Sequence, residues 1–235
     1  MFKYDLGIIG GMGSEATVEI YKRIIERTYH TCDQEHMRIV ILNNSIIPDR
    51  TNCILNKGEN PLPYLNESIK DLENIKAKYF IVPCNTAHHF ANQFEISSIN
   101  FISMIEETLL EIKNNYKNNK VCILATHGTI NSNVYHGNIN ANDINFIYLN
   151  KYNQDIIMSV INDTKSDKDR EMIKNNLINV VRNVKDENDN CLFVLACTEL
   201  SLYLEDVKKE ALVIDAMDCL VNSTIIKCGY KLKQK

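Results

Sequence analysis

The sequence predicts an α/β protein made of two similar lobes, each a parallel sheet flanked by helices. Short apolar segments alternate with helical segments along its 235 residues, which is the pattern of parallel sheets covered by helices. Two of the predicted apolar strands are each followed closely by a cysteine, the first by Cys84 and the second by Cys197. The turns around Gly13 and Gly128 repeat at nearly the same separation. We therefore expect two copies of one unit, related by a pseudo-twofold axis, with a site between them.

The first lobe is predicted to comprise residues 1–100 and to carry Cys84. Apolar and β-branched residues predict its strands at Tyr4–Gly10, Arg38–Leu42 and Phe80–Val82. Pro83 ends the last of these, because proline has no N–H to donate to a central strand ladder. Helical spacing, with Ser14 as a suitable N-cap, predicts helices at Ser14–His30, Glu59–Ala77 and Ala87–Phe94.

The second lobe is predicted to comprise residues 101–209 and to carry Cys197, with about 210–235 returning to the first lobe. Its region, together with the closing segment, contains predicted strands at Phe101–Ser103, Val121–Ala125, Phe146–Leu149, Cys191–Ala196 and Leu212–Ile214. The predicted helices are Ile105–Tyr116, a segment through Tyr135, Gln154–Asn162, Asp167–Val184 and Ala216–Cys228. Lys165 is expected in the connection between two of these helices.

Composition excludes several classes of function. The net charge of −4 gives no basic surface for nucleic acid, which is therefore not an expected partner. We expect no membrane association, because no apolar run reaches 18 residues. A strand begins directly after Met1 with no signal peptide before it, so we expect a cytoplasmic protein. The eight cysteines are accordingly interpreted as reduced thiols.

Cys84 and Cys197 are the two cysteines whose predicted positions favour a reactive thiol. Each lies where a buried strand is expected to turn into a helix. Free N–H groups and the positive end of the helix dipole favour a thiolate there and can also hold a carboxylate. The other six are interpreted as small buried hydrophobes, namely Cys32, Cys53, Cys122, Cys191, Cys219 and Cys228. No metal site is expected, because His88-His89 and Cys32 with His36 supply only isolated pairs.

Two motifs at the ends of the first strands suit an anionic ligand. Gly11-x-Gly13-x-x-Ala16 resembles a dinucleotide fingerprint, but the second strand ends in Asn43-Asn44-Ser45 without the expected acidic residue. A tight turn that brings backbone close to a small anion is the better interpretation. Arg50 follows the second strand and either binds a carboxylate or is a surface arginine paired with Asp49, with equal weight.

Five motifs together resemble the aspartate/glutamate racemase family over essentially the whole chain. They are Gly10-Gly11-Met12-Gly13, Pro48-Asp49-Arg50-Thr51, Pro83-Cys84-Asn85-Thr86-Ala87-His88, Ala125-Thr126-x-Gly128-Thr129 and Cys197-Thr198-Glu199. The sequence is most similar to the aspartate racemase branch, since glutamate racemases usually open with Asp-Ser-Gly and follow the second cysteine with Thr-His. Ser14 departs from the pattern, in which a proline commonly follows the Gly-Met-Gly turn.

The resemblance implies an enzyme, an isomerase that interconverts L- and D-aspartate, glutamate or both, and it implies a homodimer. No cofactor is expected, including pyridoxal phosphate, because no lysine has a recognisable Schiff-base context. Cys84 and Cys197 would be catalytic, one as thiolate removing the Cα proton and the other as thiol returning one. Their roles would reverse with the handedness of the substrate.

The resemblance also implies a set of substrate-binding residues. Asn85, Thr86 and Thr198 would hold the α-carboxylate, and Arg50 with Lys165 would hold the side-chain carboxylate. Three further residues line the strand-end turns, namely Met12, Thr126 and Thr129. Glu199 would either contact the substrate and Cys197 or cap a helix. His88 would either point toward the site or, in the favoured interpretation, pack between the lobes.

Three alternatives to this racemase remain open from the sequence. One is a hydantoin racemase, or another isomerase or a decarboxylase of the same superfamily. The others are a non-catalytic amino-acid-binding protein and a dinucleotide-dependent enzyme. Decarboxylases of this type need only one cysteine, and the presence of both argues against simple binding.

Overall fold

The computed structural model describes residues 2–166 and 168–233. Within them the chain forms two sheets of four parallel strands flanked by helices, which confirms the predicted fold class. These sheets lie in two compact units. One contains the residues up to Glu107 together with those from Met217 onward, and the other is Thr108–Ala216.

The first sheet has the strand order β2-β1-β3-β4. Its strands are β1 (Tyr4–Gly10), β2 (Ile39–Asn43), β3 (Ala77–Ile81) and β4 (Asn100–Phe101). Leu6, Ile8 and Ile9 in the central β1 are fully buried, as expected for a strand with both faces covered. The helices that follow these strands are α1 (Ser14–Arg27), α2 (Arg50–Ile54), α3 (Leu62–Asn74), the 3₁₀ helix Asn85–Gln93 and α4 (Met104–Asn115).

The second sheet repeats this strand order as β6-β5-β7-β8. Its strands are β5 (Lys120–Leu124), β6 (Asn145–Ile147), β7 (Cys191–Leu195) and β8 (Leu212–Asp215). Val121, Leu192 and Phe193 in the two central strands are fully buried. The remaining α-helices are α5 (His127–Asn131), α6 (Lys151–Lys165), α7 (Arg170–Glu187), α8 (Leu204–Lys208) and α9 (Ala216–Lys227).

Ion pairs that include the buried residues Glu107 and Arg23 hold α9 in the first unit. The Glu107 carboxylate on α4 accepts from the Ser223 hydroxyl at 2.6 Å and pairs with Lys227. Asp218 pairs with both Arg23 and Arg27 of α1 at 2.6 Å. The first unit is therefore completed by the end of the chain.

Several element boundaries differ from the predictions. Helix α1 ends at Arg27, three residues before the predicted end, because Thr28 is extended and pairs with Leu232. Helix α3 begins only at Leu62, whose N–H bonds to the Asn60 side chain. Strand β8 pairs with β7 in the second sheet, although the sequence places residues from about 210 in the first lobe.

The segments after the two cysteines also differ from the predicted α-helices. A 3₁₀ helix, Asn85–Gln93, replaces the helix expected at Ala87–Phe94. After Cys197 a turn precedes the short 3₁₀ helix Leu200–Tyr203.

Helix α7 begins at Arg170 with Asp169 as its N-cap. Asp167, where that helix was predicted to begin, lies outside the described residues.

None of the helices in the described part of the chain is both long and apolar enough to cross a membrane.

Gly11 is a glycine whose replacement the fold tolerates poorly. Its φ is +89°, and a Cβ there would lie 2.3 Å from the Asn44 carbonyl carbon. We expect Gly11→Ala to lower the free energy of unfolding by at least about 2 kcal/mol, because both strain and overlap oppose it. A Cβ on Gly13 meets no atom within 4 Å, so Gly13→Ala is the matched control. Urea unfolding of both variants checks this, and equal losses would contradict it.

Candidate active site

The first unit brings its predicted site residues to one edge of its sheet. Strands β1, β2 and β3 are parallel, so their carboxyl ends lie at the same edge. Met12 follows β1, and Cys84, Asn85 and Thr86 follow β3, whereas Arg50 begins α2 after the loop that follows β2. Helix α2, which begins at Arg50, packs against the 3₁₀ helix that follows Cys84. This is the edge at which ligands of open α/β sheets bind.

Arg50 is buried, which removes the alternative of a surface arginine. Its side chain is 9 % exposed, and its Nη atoms donate to the carbonyl oxygens of Met12, Ile47 and Pro48 at 3.1–3.3 Å. The Asp49 carboxylate is used as the N-cap of α2, where it accepts from the Asn52 N–H. Asp49 therefore caps helix α2, whereas Arg50 binds backbone carbonyl groups.

The Arg50 guanidinium has no carboxylate within 4.0 Å among the described residues. Its Nε is also buried without a hydrogen-bond partner there. A buried charge without a counter-ion is costly, and carbonyl dipoles compensate it only in part. The arrangement leaves Arg50 able to gain a charge-assisted, bidentate bond to an anion.

Cys84 lies in a turn that backbone and side-chain hydrogen bonds hold in place. Its N–H donates to the Val82 carbonyl at 2.8 Å, and its own carbonyl accepts from the Ala87 N–H at 3.2 Å. Its side chain is 7 % exposed and belongs to the apolar core that includes Met12. Asn85 and Thr86 follow in the same turn, and both are buried.

His88 links the Cys84 turn to the start of α4. The Met104 N–H donates to its Nε2 at 3.0 Å, so Nε2 carries no proton. Nδ1 then carries the proton and donates to the Cys84 carbonyl at 2.9 Å. Burial lowers the pKa of His88 to about 4, and the bond to Cys84 opposes this. The partners in these two hydrogen bonds, Cys84 and Met104, both belong to the first unit.

The second unit has an equivalent edge after β5 and β7. Thr126 is the N-cap of α5, where its hydroxyl accepts from the Thr129 N–H at 3.1 Å and lies 3.1 Å from the Thr129 hydroxyl. The Gln154 amide donates to the Ala125 carbonyl at 2.9 Å. The predicted residues Thr126 and Thr129 therefore form one buried hydroxyl pair.

Cys197, Thr198, Glu199 and Lys165 form a second polar cluster. The Cys197 thiol donates to Glu199 Oε2 at 2.8 Å, and the Thr198 hydroxyl donates to the same oxygen at 3.2 Å. Lys165 Nζ lies 3.6 Å from Glu199 Oε1. Lys165 is the last residue of α6, not part of a connection as predicted. The structure thus brings together four residues that the sequence singles out.

Burial and charge raise the pKa of the Cys197 thiol above its usual range. Burial is the larger cause, the Glu199 carboxylate adds to it, and Lys165 opposes it. In the described state the thiol is therefore the favoured form of Cys197.

Two supporting residues near these turns were not predicted. Gln154 holds the end of β5, as described above, and the buried Asp215 carboxylate accepts from the Ser201 hydroxyl at 2.8 Å. Asp215 is the last residue of β8, so a polar residue at the end of an apolar strand was the available signal. Gln154 lies within a helix and gives no such signal.

No group of three or more His, Cys, Asp or Glu side chains placed to hold a metal ion occurs among the residues that the structure describes. What the described geometry offers is acid–base chemistry. A strand-end thiol lies beside polar groups in each unit, and the first unit adds a buried cation.

Comparison with known proteins identifies the family. A sequence model of the Asp/Glu/hydantoin racemases matches residues 9–224. The chain belongs to the Asp/Glu/hydantoin racemase family. It is therefore an isomerase of the racemase class, in a family that acts on small molecules. Broad-specificity amino-acid racemase RacX from Bacillus subtilis (strain 168) is 24% identical over 229 residues, which cover 94% of this chain and 96% of that relative.

Solved structures of racemases share the fold. The aspartate racemase of Picrophilus torridus is 33% identical and superposes with a TM-score of 0.86, covering 97% of this chain and 95% of that one. Glutamate racemase isoform RacE1 from Bacillus anthracis superposes with a TM-score of 0.72 over 97% of this chain and 84% of that one. At 17% identity the second likeness concerns the fold alone.

The pKa of His88 predicts a dependence of stability on pH. Its ordinary value near 6.5 in the unfolded chain exceeds its folded value of about 4, so the unfolded chain binds more protons between these values. The contribution of neutral His88 is complete above pH 6.5 and is lost as the pH falls toward 4, by up to about 3 kcal/mol.

Urea unfolding at a series of pH values checks this dependence. We expect His88→Gln to weaken the dependence of unfolding free energy on pH between 6.5 and 4. The neighbouring exposed His89 provides the matched control His89→Gln, which should keep the wild-type dependence. Equal pH dependence in all three proteins would contradict the assignment.

Proposed function

We propose that this racemase interconverts the L- and D-forms of aspartate, glutamate or both by proton transfer between Cα and two cysteines, without a cofactor. The observation that carries the choice of substrate is Arg50, a buried guanidinium without a carboxylate partner among the described residues. An amino acid with a side-chain carboxylate would supply that counter-ion. The likeness to the Picrophilus aspartate racemase supports the same choice.

Inversion at Cα requires removal of a proton from one face and delivery of a proton to the other. We assign these two steps to Cys84 and Cys197, since a thiolate is a competent base and a thiol a competent acid near neutral pH. The Cα–H electron pair stays on carbon when the thiolate takes the proton. It then forms the new Cα–H bond with the proton of the other thiol. No electron carrier enters this balance.

The remaining site residues divide between the two carboxylates of the substrate. We assign Asn85, Thr86 and Thr198, with their neighbouring N–H groups, to the α-carboxylate. Arg50 and Lys165 are assigned to the side-chain carboxylate. The further contacts are assigned to the turn residues Met12, Thr126 and Thr129. Support for this division comes from the strand-end turns that hold Asn85, Thr86, Thr126 and Thr198, and from the burial of the threonines and Asn85.

The relative from Bacillus subtilis is named for broad specificity, which bears on the range of substrates. A fixed buried cation favours acidic side chains, whereas one methylene changes discrimination by only about 1–3 kcal/mol. We therefore propose that aspartate and glutamate are both accepted, in preference to neutral amino acids.

A reducing cytoplasm suits this chemistry, because the reacting thiols must stay free. None of the eight cysteines, all of which lie in the described part of the chain, forms a disulfide bond. We propose a cytoplasmic homodimer, and sedimentation equilibrium of the purified protein tests the oligomeric state.

Replacing either strand-end cysteine is expected to abolish racemisation. We expect Cys84→Ser and Cys197→Ser each to lower kcat by at least about 100-fold, because a serine hydroxyl is a far weaker acid. Chiral chromatography of L-aspartate and L-glutamate reactions in D2O, with NMR of Cα–H exchange, provides the measurement. The exposed Cys32 gives the control Cys32→Ser, which should retain wild-type rates. Full activity in either strand-end variant would reject the two-cysteine mechanism.

Arg50 is expected to set the preference for acidic substrates. Arg50→Gln removes a bidentate charge-assisted bond of about 3 kcal/mol, so kcat/KM for L-aspartate should fall by about 100-fold. The exposed Arg38 supplies the control Arg38→Gln, for which no change is expected. Steady-state kinetics with both amino acids checks the effect, and thermal unfolding shows whether each variant is folded. Unchanged kcat/KM in folded Arg50→Gln would remove the assignment of Arg50.

A further inference from the structure

Glu199 differs from the residues assigned to substrate binding, because its carboxylate accepts a hydrogen bond from a cysteine thiol. Its Oε2 accepts from both the Cys197 thiol, at 2.8 Å, and the Thr198 hydroxyl, at 3.2 Å, while Lys165 Nζ lies 3.6 Å from its Oε1. The Glu199 side chain is only 12% exposed, and Cys197 is buried. Both carboxylate oxygens are thus engaged by protein groups, and one of these groups is the thiol.

With Glu199 ionised, the Cys197–Glu199 bond requires a proton on sulfur. An ionised carboxylate can only accept, so the thiol is the donor. A Cys197 thiolate would place a second negative charge against Glu199 Oε2, in a buried setting where like charges repel strongly. Glu199 and Lys165 are the charged groups that act on this thiol, and Glu199 outweighs Lys165.

Cys84 lacks an equivalent neighbour. Among residues 2–166 and 168–233, none donates to or accepts from its Sγ atom. Its turn is held through its backbone carbonyl by His88, which is neutral. The two strand-end cysteines therefore differ in their charged surroundings, although their positions in the two units are alike.

We propose that Glu199 acts through Cys197 and keeps its proton in place, so that the resting enzyme presents Cys197 as the acid. This inference rests on the proposed function. For one enantiomer, the Cα–H bond breaks as Cys84 gains the proton. The Cys197 S–H bond then breaks, its proton joins Cα and its electron pair stays on sulfur. The resulting thiolate beside Glu199 regains a proton from water, and Cys84 releases its proton to the hydroxide so formed.

The opposite enantiomer needs the reverse assignment. Cys197 must then start as thiolate, and Glu199 must either hold the shared proton as a carboxylic acid or turn toward Lys165. Either change costs free energy in the resting enzyme. Because the equilibrium constant between enantiomers is one, this difference leaves the ratio of their kcat/KM values unchanged. It is visible in the titration and the reactivity of the Cys197 thiol.

The test follows alkylation of each cysteine by iodoacetamide between pH 6 and 10, mapped by mass spectrometry. Glu199→Gln keeps the size of the side chain and offers an N–H to a thiolate. We expect it to move the midpoint of Cys197 alkylation to lower pH by at least about one unit. The midpoint for Cys84 should stay unchanged. The exposed Glu205 pairs with Lys208 and gives the control Glu205→Gln, which should match wild type.

The pH series of alkylation distinguishes an electrostatic effect on the Cys197 thiol from a loosening of the turn that holds it. A loosened turn would speed alkylation at every pH without moving the midpoint, and that result, like an unmoved midpoint, would overturn the proposal. The second readout is the ultraviolet absorbance of the Cys197 thiolate, taken as the difference between each protein and its own Cys197→Ser variant over the same pH range. We expect the midpoint of this absorbance to lie at lower pH in Glu199→Gln than in wild type. Where Cys197 resists the reagent in every variant, this midpoint decides alone, and an unmoved midpoint rejects the proposal.

The alkylation result does not require catalysis. A shifted midpoint in a protein that racemises neither amino acid would retain the pairing of Glu199 with Cys197 and reject the proposed substrates. Racemisation with an unmoved midpoint would retain the proposed substrates and reject the pairing of Glu199 with Cys197.

Discussion

Parallel pairing of the strands is the constraint on which the site depends. In each sheet the central strands run in the same direction, so the residues that follow them are delivered to one edge. Cys84 and the turn around Gly11 come together in this way in the first unit. Thr126 and Cys197 do so in the second. Helix packing adds Arg50 and Lys165 through α2 and α6.

The strand-end residues were predictable because their signals are local. A run of buried apolar residues that ends in Cys84 or Cys197 specifies both the strand and the edge at which the cysteine lies. The position of Lys165 was not predictable in this way, since the end of a helix is poorly defined by propensity. His88 was ambiguous because its partner, the N–H of Met104, lies sixteen positions away and carries no side-chain signature.

The two units also show how a repeated fold can hold unlike chemistry. Strand order is the same in both sheets, but the residue two positions after the cysteine differs, Thr86 in one and Glu199 in the other. In the first unit the turn is tied through a carbonyl by a neutral imidazole. In the second the thiol itself is tied by a carboxylate. Backbone repetition therefore sets where the sulfur atom lies within each unit, and a single side chain, Glu199, gives the sulfur of the second unit a charged partner.

The buried contacts of α9 have a consequence for how the chain is made. The second unit lies within the sequence of the first, whose final helix is bound by Glu107, Arg23 and Arg27. During synthesis the whole of the second unit emerges before the contacts of these three residues with α9 can form. The first unit therefore still lacks its final helix when the sequence of the second unit is complete. The part that begins first is completed last.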